Sequence, residues 1–245
     1  MSTGIWSAAS GAVGQTFALD VHANNVANAT TPGYRADRAV FRQELARAVD
    51  SIGSNSMRYS VVRSSAPNMI SGTTVHTGRS LDVSLRDPDS MFVVRTPQGE
   101  RYTRAGSLQM LVDGSIVTRE GHPFLGPDRK PLKVDPTAAS VEVGRDGSLV
   151  VGGTAGTSRL LTVRFPEGHL EKDGDVMMRA REGAPPPAVV SADLDQASLE
   201  LSNASAVSSM TGIVAASRQF EMLTKVIEAF STIDRKAATD LMARR

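Results

Sequence analysis

Ile213–Leu241, IVAASRQFEMLTKVIEAFSTIDRKAATDL, is the stretch that decides the fold. Ile213, Phe220, Ile227 and Leu241 fall on one seven-residue register, and Ala216, Leu223, Phe230 and Ala237 fall on a second one three residues later. Apolar positions alternating by three and four residues form the a/d seam of a helix that packs along another helix. Asp234 interrupts the first register: either it sets the register, or, the plainer reading, the seam rotates there toward Ile233. At the other end of the chain Ile5, Ala9, Ala12, Thr16, Leu19, Ala23 and Val26 step by four and three, one thin stripe along a helix of about seven turns. Each stripe is too poor in apolar surface to fold alone. The two ends are therefore expected to pair as a coiled coil and to bundle with further copies, which makes assembly the expected function.

The first helix is expected to start at Ser2 or Thr3 and to run to about Ala29, where Pro32 stops it. Pro32 biases Thr31 away from the α region and Gly33 can take positive φ, so the chain changes direction there. Asn24, Asn25 and Asn28 stand just before, and Asn side chains compete for nearby backbone groups. Together with Pro32, Gly33 and Tyr34 they read as a bonded junction at which the chain leaves the helix. A frayed helix end with its amides in water is the other reading of these residues.

Phe41, Leu45 and Val49, spaced by four, predict a short amphipathic helical stretch within residues 36–50. From Arg58 onward short Val- and Leu-rich runs arrive among Ser, Thr and Gly, the pattern of strands and turns. Ser107–Val117 and Ser140–Val150 each read as a hairpin around Asp-Gly, with weaker turns at Gln98-Gly99 and Glu120-Gly121. Asp87-Pro88-Asp89 reads as a turn. Gly183–Pro187 is a stiff extended spacer, and Ser202, Asn203 and Ser205 offer successive caps for the last helix. The expected class is α+β, with residues 1–35 as the first helix and junction, 36–75 a connecting segment, 76–201 a central all-β domain and 202–245 the closing helix.

The 245 residues are 40% hydrophobic and only 4% aromatic, so the core should consist of Val, Leu, Ile and Ala. A formal charge of +1 gives no global pull toward nucleic acid or anionic lipid. With no cysteine, thiol nucleophiles and thiolate metal sites are excluded, and four histidines scattered singly suggest no metal site. No phosphate loop or nucleophile elbow appears, so neither an enzyme nor a cofactor is expected. Up to Tyr34 there is no Lys or Arg and no continuous apolar run, which predicts neither a cleaved signal peptide nor membrane insertion.

The run Ala23–Tyr34 resembles the N-terminal signature of bacterial flagellar rod, hook and hook-associated proteins. Thr77–Val83, Phe92–Ser107 and Gly114–Gly121 resemble the first β-segment of rod and hook proteins, and Leu199–Asn203 with Ser217–Met222 is similar to the family's closing helix, in wording that favours the proximal-rod branch. Arg86–Phe92 departs from the family pattern, since it has no glycine and only Phe92 is aromatic, and Leu160–Ala184 matches none of the family's motifs. The resemblance implies a basal-body rod subunit whose terminal helices form the inner tube of a hollow shaft transmitting motor torque across the periplasm. It implies other copies and other rod proteins as partners, and export through the flagellar type III apparatus without a cleaved leader. Ile5, Ala12, Leu19, Val26, Ile213, Phe220, Leu223, Ile227, Phe230 and Leu241 would carry assembly. A distal-rod or hook-type protein is the alternative within the family. A secreted ligand-binding β-domain with oligomerising helices is the alternative outside it, for which Trp6 and three tyrosines are scant groove-lining material.

Overall fold

Two helices at the chain ends and a β-rich middle make the protein α+β. The computed structural model describes residues 3–46, 57–137, 140–152, 154–166 and 168–243, which fall into two compact units.

The first unit holds α1 (Thr3–Ala27), β1 (Asp37–Ala46), β2 (Met57–Pro67 in full, its last residue counted with the other unit) and α2 (Ala206–Ala243). α1 and α2 run antiparallel with small residues at their closest points. A Cβ on Gly4 would meet Phe230 Cζ at 2.7 Å, one on Gly11 would meet Leu223 Cδ1 at 3.2 Å, and one on Gly212 would meet His22 Cε1 at 2.5 Å. Seven residues on α1 match seven on α2 in the first interval and eleven match eleven in the second, so one register holds along the pair. Ala8, Ala12, Ala18, Val21 and Asn25 are buried on α1. The positions that meet α2, Gly4, Gly11 and His22, are offset by one from the stripe read in the sequence, of which Ala12 is buried, Ile5, Ala9, Leu19 and Val26 are half-buried, and Thr16 and Ala23 are exposed. The glycines explain the offset, because the helices close wherever α1 offers least bulk to Phe230 and Leu223.

On α2, Ala216 is buried, Ile213, Leu223, Ile227 and Phe230 are half-buried, and Phe220 is 38% exposed. The side chains of Ala237 and Leu241 lie outside the described residues. The expected rotation of the seam toward Ile233 does not occur: Ile233 is 60% exposed and Asp234 is half-buried. Ser205 caps α2 by accepting from Ser208 N (3.3 Å).

The helical stretch expected within residues 36–50 is instead strand β1, paired with β2 in a two-stranded sheet, and Val49 lies outside the described residues. The β-rich partner at Met57–Pro67 supplies ladder hydrogen bonds that outweigh a weak local helical period.

The second unit comprises Asn28–Ala36 and Pro67–Ala204. It contains β3 (Thr74–His76), β4 (Val83–Leu85), β5 (Ser90–Thr96), β6 (Gly99–Thr103), β7 (Gln109–Met110), β8 (Ile116–Val117), β9 (Val141–Val143), β10 (Ser148–Val151), β11 (Thr154–Arg159), β12 (Thr162–Arg164), β13 (Leu170–Lys172), β14 (Met177–Ala180), β15 (Ala188–Val190), β16 (Leu194–Gln196) and β17 (Ser198–Glu200). An antiparallel six-stranded sheet in the order β13-β14-β6-β5-β12-β15 is its centre. β5 alternates between two cores: Phe92 and Val94 join Leu108, Ile116 and Phe124 on one face, while Met91 and Val93 join Leu161, Val163 and Tyr102 on the other. Both expected hairpins form, β7–β8 and β9–β10, with Gly114 at φ 78° and Gly147 at φ 81° in their turns. At each tip the aspartate side chain accepts from the serine two residues on, Asp113 from Ser115 and Asp146 from Ser148. The C-terminal part of the unit closes it, with β15 on β12, β16 on β4 and β17 on β3.

Candidate functional site at the chain junction

In the last turn of α1 the Asn25 carboxamide behaves like a peptide group. Nδ2 donates to the Asp37 carbonyl (2.8 Å) and Oδ1 accepts from Asp37 N (2.9 Å), so the first residue of β1 is clamped to the helix. Just after the helix, Thr31 Oγ1 donates to Asn28 Oδ1 (3.1 Å) and Thr31 N to the Asn28 carbonyl (3.1 Å), which closes a turn. Asn24 is exposed and Pro32 half-buried. Gly33 adopts φ 73°, and a Cβ there would lie 2.6 Å from Ala105 Cα, so no other residue fits without displacing backbone.

Gly33 N donates to the Glu200 carbonyl (2.8 Å), and from there a buried charge cluster unfolds. Glu200 is 2% exposed. Its Oε1 accepts from Arg35 Nη1 (2.6 Å) and Gly72 N (2.9 Å), and its Oε2 accepts from Arg104 Nε (2.8 Å) and Nη2 (2.6 Å). Arg104 also donates to the carbonyls of Leu85, Asp87, Pro88 and Ser90 at 2.6–3.2 Å. That fan of bonds holds Arg86–Phe92; the loop is a turn in which Ser90 Oγ donates to Asp87 Oδ2 (2.6 Å) and Arg164 pairs with Asp87. Burial pushes the Arg35 guanidinium below its ordinary basicity, Glu200 opposes this and Arg104 adds to it. An ion cluster as dry as this gains little over a well-packed apolar one, but losing one partner strands a charge at about 3–5 kcal/mol.

Tyr34 is buried with Lys172 Nζ 3.7 Å above its ring, and the same ammonium donates to the Arg35 carbonyl (2.9 Å). Lys172 gives a role to part of Leu160–Ala184. Asn203 gathers the remaining strands of chain. Its Oδ1 accepts from Ala36 N (2.6 Å) and its Nδ2 donates to the carbonyls of Asn68 (2.9 Å) and Ile70 (2.6 Å). It is therefore not the helix cap that its position suggested.

Of the junction residues named from the sequence, Asn25, Asn28, Gly33 and Tyr34 make the contacts described above, while sequence reasoning missed the contacts of Arg35, Arg104, Lys172, Glu200 and Asn203. Arg35 and Glu200 lie 165 positions apart, which no local pattern reveals. Among the described residues no helix is long and apolar enough to cross a membrane.

Three family models match the chain. One described as "Flagella basal body rod protein" covers residues 5–35, the "Flagellar hook protein FlgE/F/G D1 domain" covers 87–151, and the "Flagellar basal body rod FlgEFG protein C-terminal" covers 195–240. The basal-body rod protein FlgF of Escherichia coli K12 is 35% identical over 238 residues, 90% of this chain and 91% of that one. The chain belongs to the flagellar basal-body rod protein family. FlgF of Caulobacter vibrioides is 31% identical over 91% of both chains, and the rod protein FlgG of Bacillus subtilis is 28% identical over 93% of this chain and 94% of its own. Within the rod family the chain is FlgF-like, a structural protein. Arg35, Arg104 and Glu200 fall one in each of the three matched segments, so the ion cluster ties together the first, middle and last parts of the rod-protein sequence.

Proposed function

We propose that the protein is a subunit of the proximal part of the basal-body rod, polymerising helically into the shaft that transmits motor torque across the periplasm. The observation that carries this reading is a second apolar row on α2. Val207, Met210, Val214, Met222, Val226 and Ile233 are all more than 40% exposed, with Trp6 and Val13 exposed on α1. A row of this size left open to water fits cover by neighbouring subunits, while the glycine-lined pairing of α1 with α2 fits a coiled coil of the inner tube. The assembly residues Ile5, Ala12, Leu19, Val26, Ile213, Phe220, Leu223, Ile227, Phe230 and Leu241 would then seal each subunit, and the open row would seal it to the next. A dense helical interface resists twist because packed side chains compress little. The work requires no catalysis and no cofactor. Partners are other copies, other rod proteins and the type III export apparatus, through which a chain without disulfides would pass. The relatives named FlgF support the proximal over the distal rod. Reconstruction of basal bodies from cells carrying a density-tagged copy of this chain tests the reading: the tag is expected on the rod between the export apparatus and the distal rod, and a tag on the distal rod, on the hook or off the axial structure overturns it.

A further inference from the structure

Residues 28–36 belong to the second unit, although the chain on both sides of them, through Ala27 and from Asp37, belongs to the first. Within the second unit four consecutive residues are read one by one. Gly33 N meets the Glu200 carbonyl at 2.8 Å, the Tyr34 carbonyl meets Asn203 N at 3.4 Å, the Arg35 carbonyl meets Lys172 Nζ at 2.9 Å, and Ala36 N meets Asn203 Oδ1 at 2.6 Å. The side chains are read as well: Tyr34 beneath the Lys172 ammonium, Arg35 by the Glu200 carboxylate, and the missing Cβ of Gly33 by Ala105. Backbone bonds that give affinity, with side-chain pockets that give specificity, are how proteins recognise extended peptides.

The geometry points to a peptide-binding groove on the second unit, built by Lys172, Glu200, Asn203 and Ala105, whose ligand is a Gly-Tyr-Arg-Ala segment that starts in the left-handed turn at Gly33. It is filled here by the chain's own residues 33–36, and it accepts the same segment of a second copy when its own is displaced. This goes beyond the rod reading and does not depend on it. The segment is continuous and carries its own anchors, and the groove holds the complementary charge, so the recognition chemistry is the same whichever chain supplies it.

The experiment uses full-length protein carrying Gly33→Val, which drives residue 33 off Ala105, and a fluorescein-labelled peptide of residues 29–37, ATTPGYRAD. Saturable binding to the Gly33→Val protein is expected, with at least a tenfold loss when Glu200→Gln is added and none detected on the unsubstituted chain, whose groove is full. If Gly33→Val alone does not fold, the readout is recovery of a cooperative thermal transition on adding excess unlabelled peptide. Mixing the Gly33→Val protein with a Glu200→Gln chain, which offers an intact segment beside a weakened groove, should give a one-to-one complex by sedimentation that neither forms alone. Absence of peptide binding and of thermal recovery, equal binding to the unsubstituted chain, or absence of the mixed complex overturns the proposal.

Discussion

Asn25 and Asp37 hold each other by two bonds of 2.8 and 2.9 Å, so the end of α1 and the start of β1 are joined as if by one rung of a β-ladder. Asn25→Ala removes both bonds and leaves partly buried backbone groups of Asp37 without these partners. A loss of about 2 kcal/mol in chemical denaturation is expected. Asn25→Asp keeps the acceptor, loses the donor and adds a charge of the wrong sign near a helix C-terminus, so it should rescue little.

Gly33→Ala combines a positive φ with an approach of 2.6 Å to Ala105 Cα, two penalties of different origin. A destabilisation of at least about 2 kcal/mol is expected. A stability equal to the unsubstituted protein in the same denaturation assay would show that the turn relaxes.

Glu200→Gln leaves two buried guanidinium groups without a carboxylate, and a loss of about 3–5 kcal/mol follows. The variant Arg35→Met should cost less, because Arg104 keeps its carboxylate partner and Arg35 Nε and Nη2 have no hydrogen-bond partner among the described residues. The order of the two losses, read by thermal scanning, is the test.

Acid should weaken the turns at Asp113, Asp135 and Asp146 in a definite direction. The hydroxyls of Ser115, Thr137 and Ser148 hold the carboxyls of Asp113, Asp135 and Asp146 below their ordinary value of 3.8. A folded-state pKa below the unfolded one gives stability that is complete above the unfolded value and lost as pH falls through the folded one. Stability should therefore be flat above about pH 5 and decline below about pH 4. Replacing all three with Asn should flatten that decline in a pH series of urea midpoints.

Leu223→Asp faces Gly11 inside the α1–α2 pair, whereas Val214→Asp lies on the open row of α2. The first should unfold the helical pair, since an unpartnered carboxylate there costs several kcal/mol, and leave the second unit intact by hydrogen exchange. The second should leave the isolated chain as stable as before yet abolish rods and swimming. Motile cells with normal rods carrying Val214→Asp would remove the open row from the assembly surface.

The α2 seam was legible because a/d periodicity depends only on one helix meeting another, and the same holds for the Asp-Gly hairpins and for positive φ at Gly33, which are local steric demands. β1 was misread because Phe41, Leu45 and Val49 carry a four-residue spacing, while the strand β2 that recruits β1 comes after it in the chain. The offset face of α1 was hidden for a related reason. Counting apolar residues ignores glycines, and the glycines at 4 and 11 mark the closest approach.

By itself the sequence determined the α+β class, the two terminal helices, the turn chemistry and the rod family, all of which are encoded in short windows of residue type. Tertiary structure alone decided that Glu200 would face Arg35 and Arg104, that Asn203 would bind Ala36, Asn68 and Ile70 in place of capping α2, and that Lys172 would cover Tyr34. The physical reason is distance along the chain: a carboxylate, an amide or an ammonium can bond many partners, and only the folded backbone brings one set within 3 Å while shutting out water.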